Sequence, residues 1–308
     1  MSNGDFWSKN VWTQFNGSPT DKTQPGLLKT TMGPTQVAQQ VFNTIVTGND
    51  NSIPADTIID PGTEEEAPST GETRTFVTLL KRFQLYPLHV NDPTLTMASN
   101  QVTRAAEALA LLEERLFYDG KIDPIPPGLE LLPKAYKQKL GGGLLGIAKS
   151  PPIEVPHKKT SSVQSPSKTP PKQSPPESPL YGLETYKAVV KGIARFTENQ
   201  QGPPYAVILS PDTFADANFP LEDNAMVTPA SAIQALLASG PFVMSPGMPP
   251  KTGLLSSLGG QATTLYIGTG PLVEFNTFDK SVYWFSARES IQFLNTDVRS
   301  LIKLDFEK

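Results

Sequence analysis

Few residues in this 308-residue chain could do chemistry, and their spacing argues against most of it. Cysteine is absent and only two histidines occur, His89 and His157. A Ser-His-Asp triad or a His-rich zinc site would have to use one of them. His157 lies in a Pro-rich tract that offers no rigid support, and His89 follows Pro87 near an expected strand end. Ser210, Ser256 and Ser257 lack a Gly-x-Ser-x-Gly frame. Glu107, Glu113 and Glu114 sit on one predicted helix, but no Glu-x-x-His accompanies them, so a di-iron carboxylate site is not expected. Gly141-Gly142-Gly143 lacks the Gly-Lys-Ser/Thr ending that a phosphate loop requires. The reading is therefore no catalytic residue, no cofactor and no metal. Acidic Glu222 and Asp223, with Asn224 beside them, cluster in a loop and form the one polar candidate of another kind.

Composition points the same way. Net charge is −4 with a pI near 5.4, so no broad basic field awaits nucleic acid. No run of about 18 apolar residues suggests a membrane span. The first residues lack a basic segment followed by an apolar one, so a cytoplasmic protein is the expectation.

The elements that must position anything functional read as follows. Trp7, Val11, Trp12 and Phe15 fit one face of a short helix in an N-terminal arm, packed on its own domain or on a neighbouring subunit. Residues 34–47 read as a second helix with Val37, Val41 and Ile45 on its apolar face and Phe42 beside them. Residues 48–73 read as a long hairpin tip carrying Glu64-Glu65-Glu66. Asp92-Pro93 is expected to open the strongest helix, with Val102, Ala105, Leu109, Leu112 and Leu116 as its apolar stripe. Residues 151–179 hold nine prolines, six serines and four lysines and read as a flexible linker. A helix over Leu183, Tyr186, Val189, Val190 and Ile193 follows, then a strand at 205–209 and a helix from Pro229 capped by Thr228.

Three pieces in the last hundred residues resemble the encapsulin shell proteins: Pro203 to Ser210, Thr252 to Gly260, and Ser281 to Leu294. The last contains Glu289-Ser290-Ile291-Gln292-Phe293-Leu294, similar to that family's closing strand. Arg104 to Gly120 resembles its long helix, and Arg74 to Leu85 the strand leaving its extended loop. The resemblance covers roughly residues 70–120 and 180–306.

It implies an α+β chain with the tailed-phage capsid-like fold. The parts would be an N-terminal arm and helix (1–47), an extended loop (48–80), a peripheral domain with a spine helix (81–150), a flexible insertion (151–179), an axial domain (180–250) and C-terminal strands (251–308). It also implies a non-enzymatic subunit of a closed icosahedral shell, whose partners are further copies of itself and a cargo protein docked through a short C-terminal peptide. Phe42, Ile45, Val273 and Phe275 are the cargo-groove candidates. Glu222, Asp223 and Asn224 would then face a pore at a symmetry axis. A phage capsid that packages DNA is the alternative on the same fold. A soluble enzyme or adaptor using the Pro-rich segment is a further one.

Overall fold

The chain is described here from a computed structural model that covers residues 6–18, 21, 23–48, 76–120, 127–132, 143–148, 150–157, 181–220 and 227–307. The expected hairpin tip with its acidic run, most of the Pro-rich segment and the loop with Glu222, Asp223 and Asn224 lie outside those residues.

Along the chain come three short helices, α1 (Lys9–Asn16), α2 (Leu27–Met32) and α3 (Val37–Val41), then strand β1 (Asn43–Val46). Next are β2 (Val77–Leu85), α4 (Pro87–Val90) and the long α5 (Thr96–Asp119), followed by β3 (Leu129–Leu132), α6 (Gly143–Ile147) and β4 (Ile153–Val155). The remainder is α7 (Leu183–Glu198), β5 (Tyr205–Leu209), α8 (Pro211–Ala217), α9 (Pro229–Leu236), β6 (Phe242–Met244), β7 (Thr252–Ser257), β8 (Thr263–Ile267), β9 (Leu272–Asp279), β10 (Val282–Asn295) and β11 (Leu301–Phe306).

These elements form two units. The first comprises residues 1–147 and 261–298, the second 148–260 and 299–308. In the first, a sheet runs in the order β1-β8-β10-β2-β3, with β9 also paired to β10. β10 is long enough to serve two partners on one side: residues 282–288 pair with β9 and 291–295 with β8. β2 lies antiparallel along its other side. α5 packs on β2 and β10. Its expected stripe, Val102, Ala105, Leu109, Leu112 and Leu116, is buried throughout. Ala106, Ala110, Phe117 and Tyr118 are buried as well, because α2 and α6 cover further faces of the helix. α5 ends at Gly120, whose left-handed φ of 66° lets its N–H bond the carbonyls of Arg115 and Leu116.

Three local expectations are corrected. Asp92 does not cap α5. It accepts from the Thr94 N–H at 2.9 Å in a turn of its own, and the helix starts at Thr96 after left-handed Leu95. The apolar run 34–47 is not one helix, since α3 stops at Val41 and Asn43–Val46 pair parallel to β8. The β-branched Thr44, Ile45 and Val46 suit an edge strand better than a helix. Ile153–Val155, read as linker, is a strand paired to β11, with Ile153 and Val155 buried.

The second unit has its own sheet, in the order β4-β11-β7-β5-β6. β5 is buried along its whole length, as its unbroken apolar run requires. α9 is capped as expected: Thr228 Oγ1 accepts from the Ser231 N–H at 3.1 Å. α7 exists but is rotated from its expected face. It buries Thr185, Ala188, Val189, Gly192 and Phe196, and leaves Leu183 and Val190 exposed. At Gly192 an added Cβ would lie 2.3 Å from a methyl of Leu255 on β7, so close helix-to-sheet approach sets the rotation.

Candidate functional site

The four cargo-groove candidates fall in two places within the first unit. Phe42 immediately precedes β1 and Ile45 lies within it. Phe42 is buried against Phe117, at 5.3 Å between ring centroids, while Ile45 is 40% exposed beside still more exposed Val46. Val273 and Phe275 lie on β9. Val273 is buried, and the Asn16 side chain bonds its backbone in both directions, accepting from Val273 N at 2.7 Å and donating to Val273 O at 3.0 Å. Phe275 packs on Phe6 at 5.0 Å and on Phe285 at 5.7 Å. Of the four, Ile45 is the one presented to solvent as a side chain needing cover. Two of them, Phe42 and Val273, already fill core positions, because Phe117 and the N-terminal arm sit on them.

That arm docks on its own chain. Trp7 is buried, stacks on Phe285 at 5.0 Å and donates from Nε1 to the Val90 carbonyl at 3.1 Å. The two arm tryptophans and Phe15 form one cluster, but Trp7 precedes α1 and does not share a helix face with the others, contrary to what its spacing predicts. The arm closes on itself where Gly17 bridges Pro25. A Cβ at Gly26 would fall 2.2 Å from Gly17 N and 2.3 Å from Phe15 O, so nothing larger than glycine fits.

The largest departure from expectation concerns charge. Glu113 and Glu114 lie off the apolar stripe of α5 yet are fully buried, as is Glu289 on β10. Gln36 Nε2 donates to both Glu113 Oε2 and Glu289 Oε2. Gln39 Nε2 donates to Glu113 Oε1 at 2.9 Å, and the Ala38 N–H to Glu114 Oε1 at 2.7 Å. Burial raises the Glu113 carboxyl above its ordinary range. Glu289 is raised well above it, by burial first and then by the neighbouring Glu113. Tyr118 is pushed up by burial and by the charges of Glu114 and Glu113. Among the described residues, no group of three or more His, Cys, Asp or Glu is placed to hold a metal ion. The sequence contains these glutamates, but no local pattern shows that one helix and one distant strand will bring them face to face.

His157, expected to lack support, has it. Its Nε2 is 2.9 Å from the Glu307 carbonyl and its N–H donates to Glu307 Oε2 at 3.0 Å. Its ring packs at a tilt against Tyr181, 4.9 Å between centroids, and Tyr181 Oη donates to the same carbonyl at 2.6 Å. Residues 157 and 181 therefore stand side by side. Ser210 is buried in a hydrogen bond with Thr213 at the start of α8, and Ser257 donates to the Gly202 carbonyl. Both hydroxyls are absorbed by local structure. No helix among the described residues is long and apolar enough to cross a membrane.

Residues 171–292 match a protein-family model described as "Encapsulating protein for peroxidase". No curated protein sequence matches the chain. Solved structures do. The virus-like particle from Pyrococcus furiosus aligns with a TM-score of 0.56 at 12% identity, over 91% of this chain and 96% of that one. The capsid of the empty GTA particle gives 0.52 at 14% identity, over 89% and 90%. The satellite phage P4 procapsid gives 0.50 at 13% identity, over 97% and 94%. The resemblance drawn from Pro203–Ser210, Thr252–Gly260 and Ser281–Leu294 is borne out: this chain has the capsid-like α+β fold and, over residues 171–292, the sequence pattern of the encapsulating-protein family.

Proposed function

We propose that this chain is the structural subunit of a closed icosahedral protein shell that encloses cargo enzymes and performs no catalysis of its own. The observation that carries the reading is the encapsulating-protein match over 171–292 on a chain whose fold, nearly end to end, is that of particle-forming subunits. The mechanism is physical: many copies of one surface meet under closed symmetry, and the wall is the product. Assembly would take place in the cytoplasm. Negative-stain electron microscopy of the purified protein tests it. Uniform closed particles are expected, and a monomer or small oligomer under all salt and pH conditions overturns it.

The fold is equally that of a phage capsid, and the likeness to the GTA and P4 particles is consistent with that second reading without preferring it. A net charge of −4 disfavours an interior built to hold DNA. The ultraviolet spectrum of the particles separates the two: a protein spectrum supports the compartment, a nucleic-acid spectrum the capsid.

Cargo would dock through a short C-terminal peptide beside β1, where Ile45 and Val46 are exposed. Replacing Ile45 by Asp should release co-purifying cargo while particles still form. Cargo retained at wild-type yield counts against that placement. Glu222, Asp223 and Asn224 remain our choice for a pore rim. Charge removal there, by Glu222→Gln with Asp223→Asn, should slow cation entry into intact particles, and unchanged entry removes the assignment.

A further inference from the structure

Three fully buried carboxyls in the first unit close on the segment between α2 and β1. Glu113 and Glu114 come from α5 and Glu289 from β10. Gln36, Ala38 and Gln39 of the arm segment supply the hydrogen bonds described above. Glu113 Oε2 and Glu289 Oε2 share one donor, Gln36 Nε2, which sets the two carboxyls side by side. Two ionised carboxylates side by side in a buried site have only acceptors to offer each other, so a proton on one of them relieves the contact of like charges. Glu289 Oε1 is buried with no hydrogen-bond partner, a placement far less costly for a neutral acid than for an anion.

Among the described residues, nothing around the pair neutralises it. From the arm, Gln36 and Gln39 face it, and both are uncharged. From α5 come Glu114, an acid, and Tyr118, whose hydroxyl is held protonated. From β10, the adjacent Arg288 is engaged with Glu274 at 2.8 Å. No Lys, Arg or His among the described residues acts on either carboxyl.

We infer that the Glu113–Glu289 pair is a proton-operated latch on the N-terminal segment. With a proton on one of the two carboxyls, residues 36–39 are held against α5 and β10. When that proton leaves, two like charges face each other in a buried site and the segment loosens. The sign follows from the geometry. A carboxyl that keeps its proton when folded binds it more tightly there than when exposed. Its contribution to stability is complete below the ordinary carboxylate range and is lost as pH rises through the raised value. The raised values at both glutamates agree with this direction. The inference does not rest on the shell reading.

Hydrogen–deuterium exchange of the full chain from pH 5 to 9, corrected for intrinsic rates, tests it. Protection of peptides covering residues 34–46 should fall by up to about tenfold per pH unit above the latch transition, while β5 keeps its protection. In Glu289→Gln, which cannot lose the proton, the fall should vanish. Wild-type protection that tracks β5 throughout, or an unchanged fall in Glu289→Gln, overturns the inference. If Glu289→Gln does not fold, infrared difference spectra of the wild type decide. A buried neutral-acid carbonyl band retained at pH 7 supports the latch, and its absence overturns it.

Discussion

At Phe285 the rings of Phe6, Trp7, Trp12, Phe83 and Phe275 meet around one buried side chain. Replacing Phe285 by Ala removes the common partner of all of them. The expected loss is about 3–5 kcal/mol in guanidinium unfolding. Phe278, 52% exposed near the β9–β10 turn, should cost less than about 1 kcal/mol on the same change. The sequence shows that these rings want cover, because each sits in an apolar pattern, but it cannot say that positions near 6, 83 and 285 share one pocket. The same limit hid the buried glutamates. A stripe read at spacings of three and four assigns every other face of α5 to solvent. That assumption fails when a helix is covered on more than one side. Glu113 and Glu114 are legible as charged residues on a helix, but their burial depends on elements far away in sequence.

The elements themselves were largely readable. The stripe of α5, the apolar run of β5 and the Thr228 cap at α9 each rest on local rules that tertiary structure did not override. Where β1 replaced the end of an expected helix, the deciding partner was β8, which lies more than two hundred residues further on. The arm is held by two devices, the aromatic cluster and the tight Gly17–Gly26 approach. Gly26→Ala should unseat it: tryptophan fluorescence should shift toward that of exposed indole and stability should fall, with Gly48→Ala, where an added Cβ meets no neighbour, as the comparison. The left-handed φ of 73° at Gly48 carries a modest cost of its own, so only a clearly larger loss at Gly26 supports the claim. The stem formed by His157, Tyr181 and Glu307 predicts a tolerated deletion. Replacing residues 158–180 by a short Gly-Ser linker should leave the thermal midpoint nearly unchanged, since closing a short loop differs from closing a longer one by only about 1 kcal/mol. A large fall in the midpoint would show that the segment contributes contacts of its own.

For the whole molecule, the order of the elements carried more information than any residue. The collinear series of strand, long helix, apolar strand and closing strands led to the capsid fold without a decisive motif, because a fold of this kind is specified by pattern and sequence of elements rather than by a site. What the sequence left open was how the chain threads its two units. It completes neither before leaving it: residues 261–298 return to the first and 299–308 to the second. The bridging strands are the late ones. β10 joins β8 and β9 to β2, and β11 joins β4 to β7. A growing polypeptide therefore holds two unfinished sheets until β10 has been made, and the second stays open until β11 has taken its place between β4 and β7.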